Sequence, residues 1–545
     1  MKTKLRQIQN SGFTFVCTSS VWLLTAALLL FLLPMLVKGS QAVFFQRTVE
    51  FDKMQKKLFK RGDEKTLQTL ITETEAARRP ALALLDQFSR GIDIAPLQKT
   101  ARAAYQQYGR HLRYRGVSGE LYTQRRNLAR RLRDDFLQAV QETDKSRAQA
   151  LLDNIDSQRS NPDFRQTPME ALFSLSERYR QILQEIDLTQ RARYAAELDL
   201  VKTEMRNLLG PLPSEPEPPL PQERFGAARW DIAQKHLHNL LYQTQWVPAG
   251  DGSKQLIARQ IRRDDPAEGI FAGTALAPLF PMMEQNLPAM LKPRPTVYWQ
   301  YFFDDSTAGH YFGGAGPEIL GTLLLTVLSM ILAVPIGVLS AAYLVEYASD
   351  GIINRIIRTC INTLAGVPSI VYGLFGLAFF VLLTGKPCIL SASMTLALLV
   401  LPVIIRASEE AIRAVPRSYK EASLSLGAGK FRTFLSVTLP AAGPGILTGI
   451  ILSLSRAAGE TAPILFAGAV ALGPVPKIGL KPDWLFQPTR ALSYGCYDIT
   501  VGDRMAMLVP HNQFGMALTL ILLVILLNIT AILLRWRMSK KLQGL

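Results

Sequence analysis

Six long apolar runs, at 13–37, 319–343, 366–384, 389–405, 442–471 and 515–534, constrain this chain more than any other feature. Each is near or above the ~20 residues a helix needs to cross the ~30 Å hydrocarbon core of a bilayer. No water is available there to satisfy free backbone groups, so such runs must close their hydrogen bonds internally as helices. The expected fold is therefore all-α: a polytopic membrane protein with six transmembrane helices. The first run follows Lys2, Lys4 and Arg6, as a secretory signal would. Its apolar core is much longer than the ~7–15 residues of a signal, with no clear small-x-small cleavage site, so an uncleaved anchor is expected.

Six spans put both termini on one side, and charge selects the side. Lys2, Lys4 and Arg6, the terminal Arg535, Arg537, Lys540 and Lys541, and the basic stretch 406–440 all satisfy the positive-inside rule if they are cytoplasmic. The expected location is the bacterial inner membrane, with both termini in the cytoplasm and 39–317 on the outer, periplasmic side. That region is rich in arginine, but long translocated segments escape the rule. The net charge of +17 thus reflects membrane orientation, not nucleic-acid binding. The cluster "RRNLARRLR" (125–133) reads as a solvated helix face. Four cysteines exclude a disulfide framework and show no metal spacing. Cys388 and Cys496 fall on the outer side and read as free thiols, with a bond between them left open.

Composition divides the chain further. Residues 1–38 hold the N-terminus and first span, and 315–545 hold the other five. Between them, the Pro-rich stretch 211–222 ("PLPSEPEPPLPQ") reads as a semi-rigid linker separating 39–210 from 223–314. Before the linker, Leu172, Leu175, Tyr179, Ile182 and Ile186 step by three and four, as do Tyr194, Leu198, Val201, Met205 and Leu208. That is a helix-pairing seam, and a helical hairpin or bundle is expected over about 45–210. After the linker come one helix, "AARWDIAQKHLHNLLYQ", and a Pro- and Gly-rich segment. His236 and His238 are two apart and cannot share a helix face, so surface histidines are expected there, not a metal site. No cofactor is implied anywhere.

Charges inside the apolar runs carry more information. Arg456 and Glu460, in "SLSRAAGETAPILF", are one helical turn apart, with Thr461 beside them. Counted from Pro444, Arg456 lies roughly 18 Å along a helix, past the middle of a bilayer core. An ionisable side chain at that depth faces a bundle interior, a cavity or a partner. The pair fits either a structural ion pair or an anion path. Arg406 and Glu409, three apart at the cytoplasmic end of the fourth span, form a second candidate pair, although snorkelling alone explains an arginine there. Guanidinium suits a tetrahedral oxyanion because its N–H donors come in pairs.

Between the fourth and fifth spans lies a polar unit, "SYKEASLSLGAGKFRTFLSVTLP" (418–440). Ser418 and Glu421 have the spacing of a capping box. Gly427 and Gly429 can take the left-handed conformation that ends a helix, and Pro440 is acceptable where the next begins. The expectation is a helix–turn–helix at the membrane surface. No G-x-x-x-x-G-K-[ST] occurs in the chain, so any ATP must be handled by another subunit.

This unit resembles the EAA loop of ABC-importer permeases, E-A-A, three residues, G, nine residues, I-x-L-P. Glu421, Ala422, Gly427, Leu439 and Pro440 fit in register, while Ser423 replaces Ala and Val437 replaces Ile. In that family the unit docks on the cytoplasmic ATPase. "GPEILGTLLLTVLSMILAVPIGVLSAAYLVEYA", "LAGVPSIVYGLFGLAFF" and "SRAAGETAPILFAGAV" extend the likeness over roughly 315–540. Together they resemble the PstA family, permease subunits of phosphate-specific ABC importers, in a long form with an extra N-terminal domain. The resemblance implies a type I importer permease fold, an ATPase-coupling loop at about 408–440, and a phosphate path through Arg456, Glu460, Thr461, Arg406 and Glu409. It also implies partners: two ABC ATPase chains, a second permease of the same fold and a periplasmic phosphate-binding protein. The alternatives are a permease for another oxyanion, such as molybdate or sulfate, or a membrane sensor or scaffold without transport.

Overall fold

The apolar runs fold as helices, though two of them are not straight. In the computed structural model, the described residues are 2–543 except 93, 186–187, 189–190, 213–224, 249–255, 308–309, 350, 471–472, 474, 480 and 502–509. Among these described residues, five helices are long and apolar enough to cross a membrane: Phe13–Ser40, Gly316–Tyr347, Ile389–Arg413, Lys430–Gly459 and His511–Lys540. A sixth crossing requires Ile352–Ala365 and Ser369–Thr384 together, and these are bent by 105°. The run at 366–384, expected as a simple span, is therefore one arm of a bent pair. Pro368 causes the break: it has no N–H to donate and drives the residue before it out of the helical region. The Tyr372 hydroxyl then ties the arms by donating to the Leu364 carbonyl at 2.8 Å.

The run at 442–471 is also interrupted. Its helix, Leu439–Gly459, ends at Glu460, whose backbone is extended (φ −75°, ψ 129°), and a short helix, Ala462–Ala467, follows. Gly459 before the break and Pro463 after it explain why apolar character continues where the helix does not.

The chain divides into two compact units, Met1–Phe45 with Pro295–Leu545, and the inserted Gln46–Arg294. In the first, the Ile389–Arg413 helix is central. It packs against both Gly316–Ala342 and Leu439–Gly459. Small residues permit close approach: a Cβ on Gly449 would lie 2.3 Å from that of Ala407, and one on Gly445 2.7 Å from that of Ala411. All four cysteines are free, and Cys388 is buried.

The inserted unit is mostly helical, with two cores. Helices Ala95–Tyr114, Gly119–Gln141, Lys145–Ser157 and Glu170–Glu185 enclose Tyr108, Phe136, Phe164, Leu172 and Tyr179. Helices Glu64–Ile92, Arg191–Leu209, Trp230–Leu241 and Leu279–Leu291 enclose Leu85, Leu198, Val201, Met205, Leu208, Leu240 and Phe280. Ile186 and most of the Pro-rich stretch lie outside the described residues, but helices from before and after that stretch share this second core. The segment after it contains more than one helix and irregular chain. Tyr242–Pro248 and Leu256–Arg262 pair antiparallel, with Tyr242 opposite Arg262.

His236 corrects the expectation of surface histidines. It is buried, and its Nδ1 lies 2.7 Å from Glu204 Oε2. It shares the 3.6-residue stripe of Ile232, Ala233 and Leu240, so the helix face and not the residue type decides its burial. His238, off that stripe, is exposed.

Candidate functional site

The break after Gly459 places Arg456 and Glu460 together: Arg456 Nε lies 3.3 Å from Glu460 Oε1. Ala457 and Ala458 face the core, while the Arg456 side chain is 38% exposed and that of Glu460 19%. Arg456 therefore points away from the packed helices of its own chain. Ending a helix inside an apolar run frees carbonyls, and one of these is satisfied directly: the Ser493 hydroxyl donates to the Glu460 carbonyl at 3.1 Å. Thr461 begins the short helix that follows. The bent pair reaches the same place, because Gly373 packs so closely that its Cβ would lie 2.8 Å from the Ala462 carbonyl oxygen. Ser455 donates to Asn528 at 2.7 Å, tying the last turn to the Pro510–Gln543 helix. The result is a charged pair on a helix end braced from several sides.

The second expected pair does not form. Arg406 is exposed and its Nε donates to Asn362 Oδ1 at 2.7 Å. Glu409 is bonded to Arg413, one turn further on, at 2.7 Å, and lies 3.5 Å from Arg358. The four-residue spacing aligns Glu409 with Arg413 better than the three-residue spacing aligns it with Arg406.

The unit between the spans is a helix–turn–helix, built differently in detail from the expectation. The first helix is Arg417–Ser425, preceded by Pro416. Ser418 thus lies inside the helix, and no capping box with Glu421 forms. Gly427 is left-handed (φ 82°), whereas Gly429 is extended (φ −69°, ψ 159°) and precedes Lys430–Thr433. One positive φ suffices to reverse the chain, and the helix resumes three residues later, at Lys430. It then continues through a π turn, Phe434–Thr438, into Leu439–Gly459. In that turn the Leu439 N–H bonds back to the Phe434 carbonyl, a wider loop that eases the entry of Pro440, which lacks an N–H. Ser423 and Thr433 hydroxyls meet at 3.0 Å and staple the two helices. Lys420 pairs with Glu346, at the end of the Gly316–Tyr347 span. Glu421 and Ala422 are exposed, and so are the apolar Tyr419, Leu424, Phe431 and, at 90%, Leu426. This is an apolar and polar surface held rigidly against the membrane helices.

A buried charged network was not anticipated. Arg490 Nη1 donates to Asp305 at 2.6 Å and Ser306 at 3.0 Å and lies 3.5 Å from Glu318, while Nη2 donates to the Gly473 carbonyl at 2.7 Å. Glu318, at the start of an apolar helix, is the one sequence signal: a carboxylate there needs a partner, but the partner is 172 residues away. His310, also buried, lies 3.9 Å from both Glu318 and Asp498. Burial, followed by the charge of Arg490, lowers its pKa to about 4, so these are contacts of a neutral ring and not ion pairs.

Membrane helices braced around a charged break, with a rigid polar two-helix unit exposed between two of them, define an integral-membrane transport component. Residues 333–543 match the family of binding-protein-dependent transport system inner membrane components. The phosphate transport system permease protein PstA 1 of Mycobacterium tuberculosis (strain CDC 1551 / Oshkosh) is 35% identical over 246 residues, 45% of this chain and 78% of its own. The probable ABC transporter permease protein YqgI of Bacillus subtilis (strain 168) is 32% identical over 252 residues, 44% of this chain and 82% of its own. Among solved structures, an inward-facing MetNI methionine ABC transporter aligns with 41% of this chain and 94% of its own, at 20% identity and a TM-score of 0.34. The chain belongs to the PstA family of membrane permeases.

Proposed function

We propose that this chain is the permease subunit of an ATP-driven phosphate importer, lining the anion path and coupling it to a separate ATPase. The observation that carries the reading is the Arg456–Glu460 pair, aimed away from its own core at a helix break within an apolar run. A span interrupted at a charged group suits substrate contact, since irregular backbone at membrane depth needs a cavity or protein partner. Arg456 and, more peripherally, Arg406 would be the cationic contacts, with Glu460 and Thr461 modulating the first and Asn362 steadying the second, while Glu409, held by Arg413, would bear on the path without touching Arg406. Few such contacts are needed, because binding must remain weak enough for release.

The unit 417–440 is the coupling element in this reading. Glu421, Ala422, Ser423 and Gly427 shape the docking surface, and Leu439 and Pro440 join it to the fifth span. Two ATPase chains bind on this face, which places both termini in the cytoplasm. A second permease completes the path, and a periplasmic phosphate-binding protein delivers the substrate to the opposite side. Closure of the ATPases pushes on 417–440 and reorients the helices around Arg456. The domain division at 39, 211–222 and 315 becomes, in this scheme, a periplasmic insertion between the anchor and the permease helices.

Phosphate uptake by variants tests the role of the pair. Without Arg456, Glu460 is an unpaired carboxylate at membrane depth and takes up a proton instead of staying charged, so neutralising the arginine should leave assembly intact. Arg456→Gln is expected to abolish uptake at normal membrane abundance. Arg456→Lys, which keeps charge but loses the planar fork, should be impaired. Arg456→Gln/Glu460→Gln should remain inactive. Uptake near wild type in that double variant would mean that the two residues only pack against each other.

A further inference from the structure

The arginine-rich stretch 125–133 is not a uniformly solvated face. Arg125 pairs with Asp163 at 2.6 Å, Arg130 with Asp134 at 3.8 Å, and Arg133 with Asp134 as well. Arg126 behaves differently. Its Nε donates to the Tyr105 hydroxyl at 3.0 Å and its Nη1 to the Tyr122 hydroxyl at 2.7 Å. Its guanidinium carbon lies 5.0 Å from the centre of the Tyr105 ring and 5.8 Å from that of Tyr122. Arg113, on the preceding helix, donates from Nε to the same Tyr122 hydroxyl at 3.3 Å. Among the described residues neither Arg113 nor Arg126 is paired with a carboxylate.

Two guanidinium groups therefore converge on one neutral oxygen with no counter-charge. They repel each other there, and phenols hold them in place without neutralising them. The fit is close: a Cβ on Gly109 would lie 2.3 Å from Arg126 Nη1. The Tyr122 hydroxyl itself is held below its usual range, chiefly by the bond from Arg113. Arg126 Nη2 and both terminal nitrogens of Arg113 keep their donors free of protein acceptors among the described residues. Paired planar donors with uncompensated charge are the arrangement that suits a tetrahedral oxyanion.

We propose that Arg113 and Arg126, set by Tyr105, Tyr122 and Gly109, form a binding site for a soluble phosphoryl oxyanion in the inserted unit. The site is separate from Arg456 and does not depend on the transport reading. The convergence of donors on one small patch favours a single tetrahedral group over an extended polymer or a membrane surface.

Calorimetric titration of inorganic phosphate into the full chain tests this, in nanodiscs of phosphatidylcholine so that no anionic headgroup competes. Arg456→Gln is used as the background, so that the membrane path does not add to the signal. Saturable binding is expected, weakened about 10–100-fold by Arg126→Gln and by Arg113→Gln, the range for losing a charge-assisted hydrogen bond. Arg131→Gln removes the same charge from an exposed arginine outside the cluster and should leave the affinity unchanged. Gly109→Ala removes no charge but displaces Arg126, so it should weaken binding too. Should Arg126→Gln loosen the hairpin, the exposed Arg113 still provides the test. Absence of saturable binding, or an Arg131→Gln effect as large as that of Arg126→Gln, would overturn the proposal, the latter by reducing it to diffuse attraction.

Discussion

At the residue scale, burial decides what each ionisable group can do. His310 is the clearest case. Its folded-state pKa of about 4 lies below the 6.5 of a free histidine, so the unfolded chain takes up the proton first. Its contribution is therefore complete above about pH 6.5 and is lost as pH falls towards 4, on the order of 3 kcal/mol in all. Thermal unfolding in detergent should show a lower Tm at pH 5 than at pH 7.5, and His310→Asn should flatten that dependence. An equally steep dependence in the variant would place the titrating group elsewhere. Arg456 was legible in the sequence because a charge in an apolar run is conspicuous. Arg490 was not, since its partners Asp305, Ser306 and Glu318 come from the other end of the unit. His236 was misjudged for a related reason: its type suggests the surface, and only its position on the Ile232–Leu240 stripe says otherwise.

At the scale of elements, hydropathy located the five long membrane helices and one arm of the bent pair, but it missed the arm Ile352–Ala365 and did not show which runs were continuous. Pro368 and the Gly459–Pro463 break lie within apolar text, where a composition window passes over them. The helix–turn–helix at 417–440 was read correctly in outline because its turn depends on local chemistry, and Gly427 alone carries the positive φ. A β-branched residue tolerates that conformation poorly, at roughly 1–2 kcal/mol or more. Gly427→Val should therefore tilt the helix carrying Glu421 and Ala422, while the Leu439–Gly459 span still inserts. The expected outcome is normal membrane abundance with loss of ATPase co-purification. Retention of the ATPase at wild-type levels would show that this surface is not the docking element.

At the scale of the whole molecule, the two units have different requirements. The membrane helices close around small residues and a few charges, whereas the inserted unit builds two ordinary apolar cores. Their topology is testable with exposed positions, in a background where the exposed Cys17 and Cys360 are serine. Tyr114→Cys, at a side chain 92% exposed in the inserted unit, should react with an impermeant thiol reagent once the outer membrane is permeabilised. Leu426→Cys, 90% exposed in the coupling unit, should react only after the inner membrane is opened. The reverse pattern would invert the protein and remove the coupling unit from the ATPase side. The central claim, that this chain carries phosphate, is tested most directly by uptake of labelled phosphate in a bacterial strain lacking its own permease of this type. The strain would express the chain with a matching second permease, ATPase and binding protein. The account predicts ATP-dependent phosphate uptake that Arg456→Gln eliminates, with no uptake of molybdate or sulfate. Uptake of one of those oxyanions in place of phosphate, or no uptake from a fully assembled complex, would contradict it.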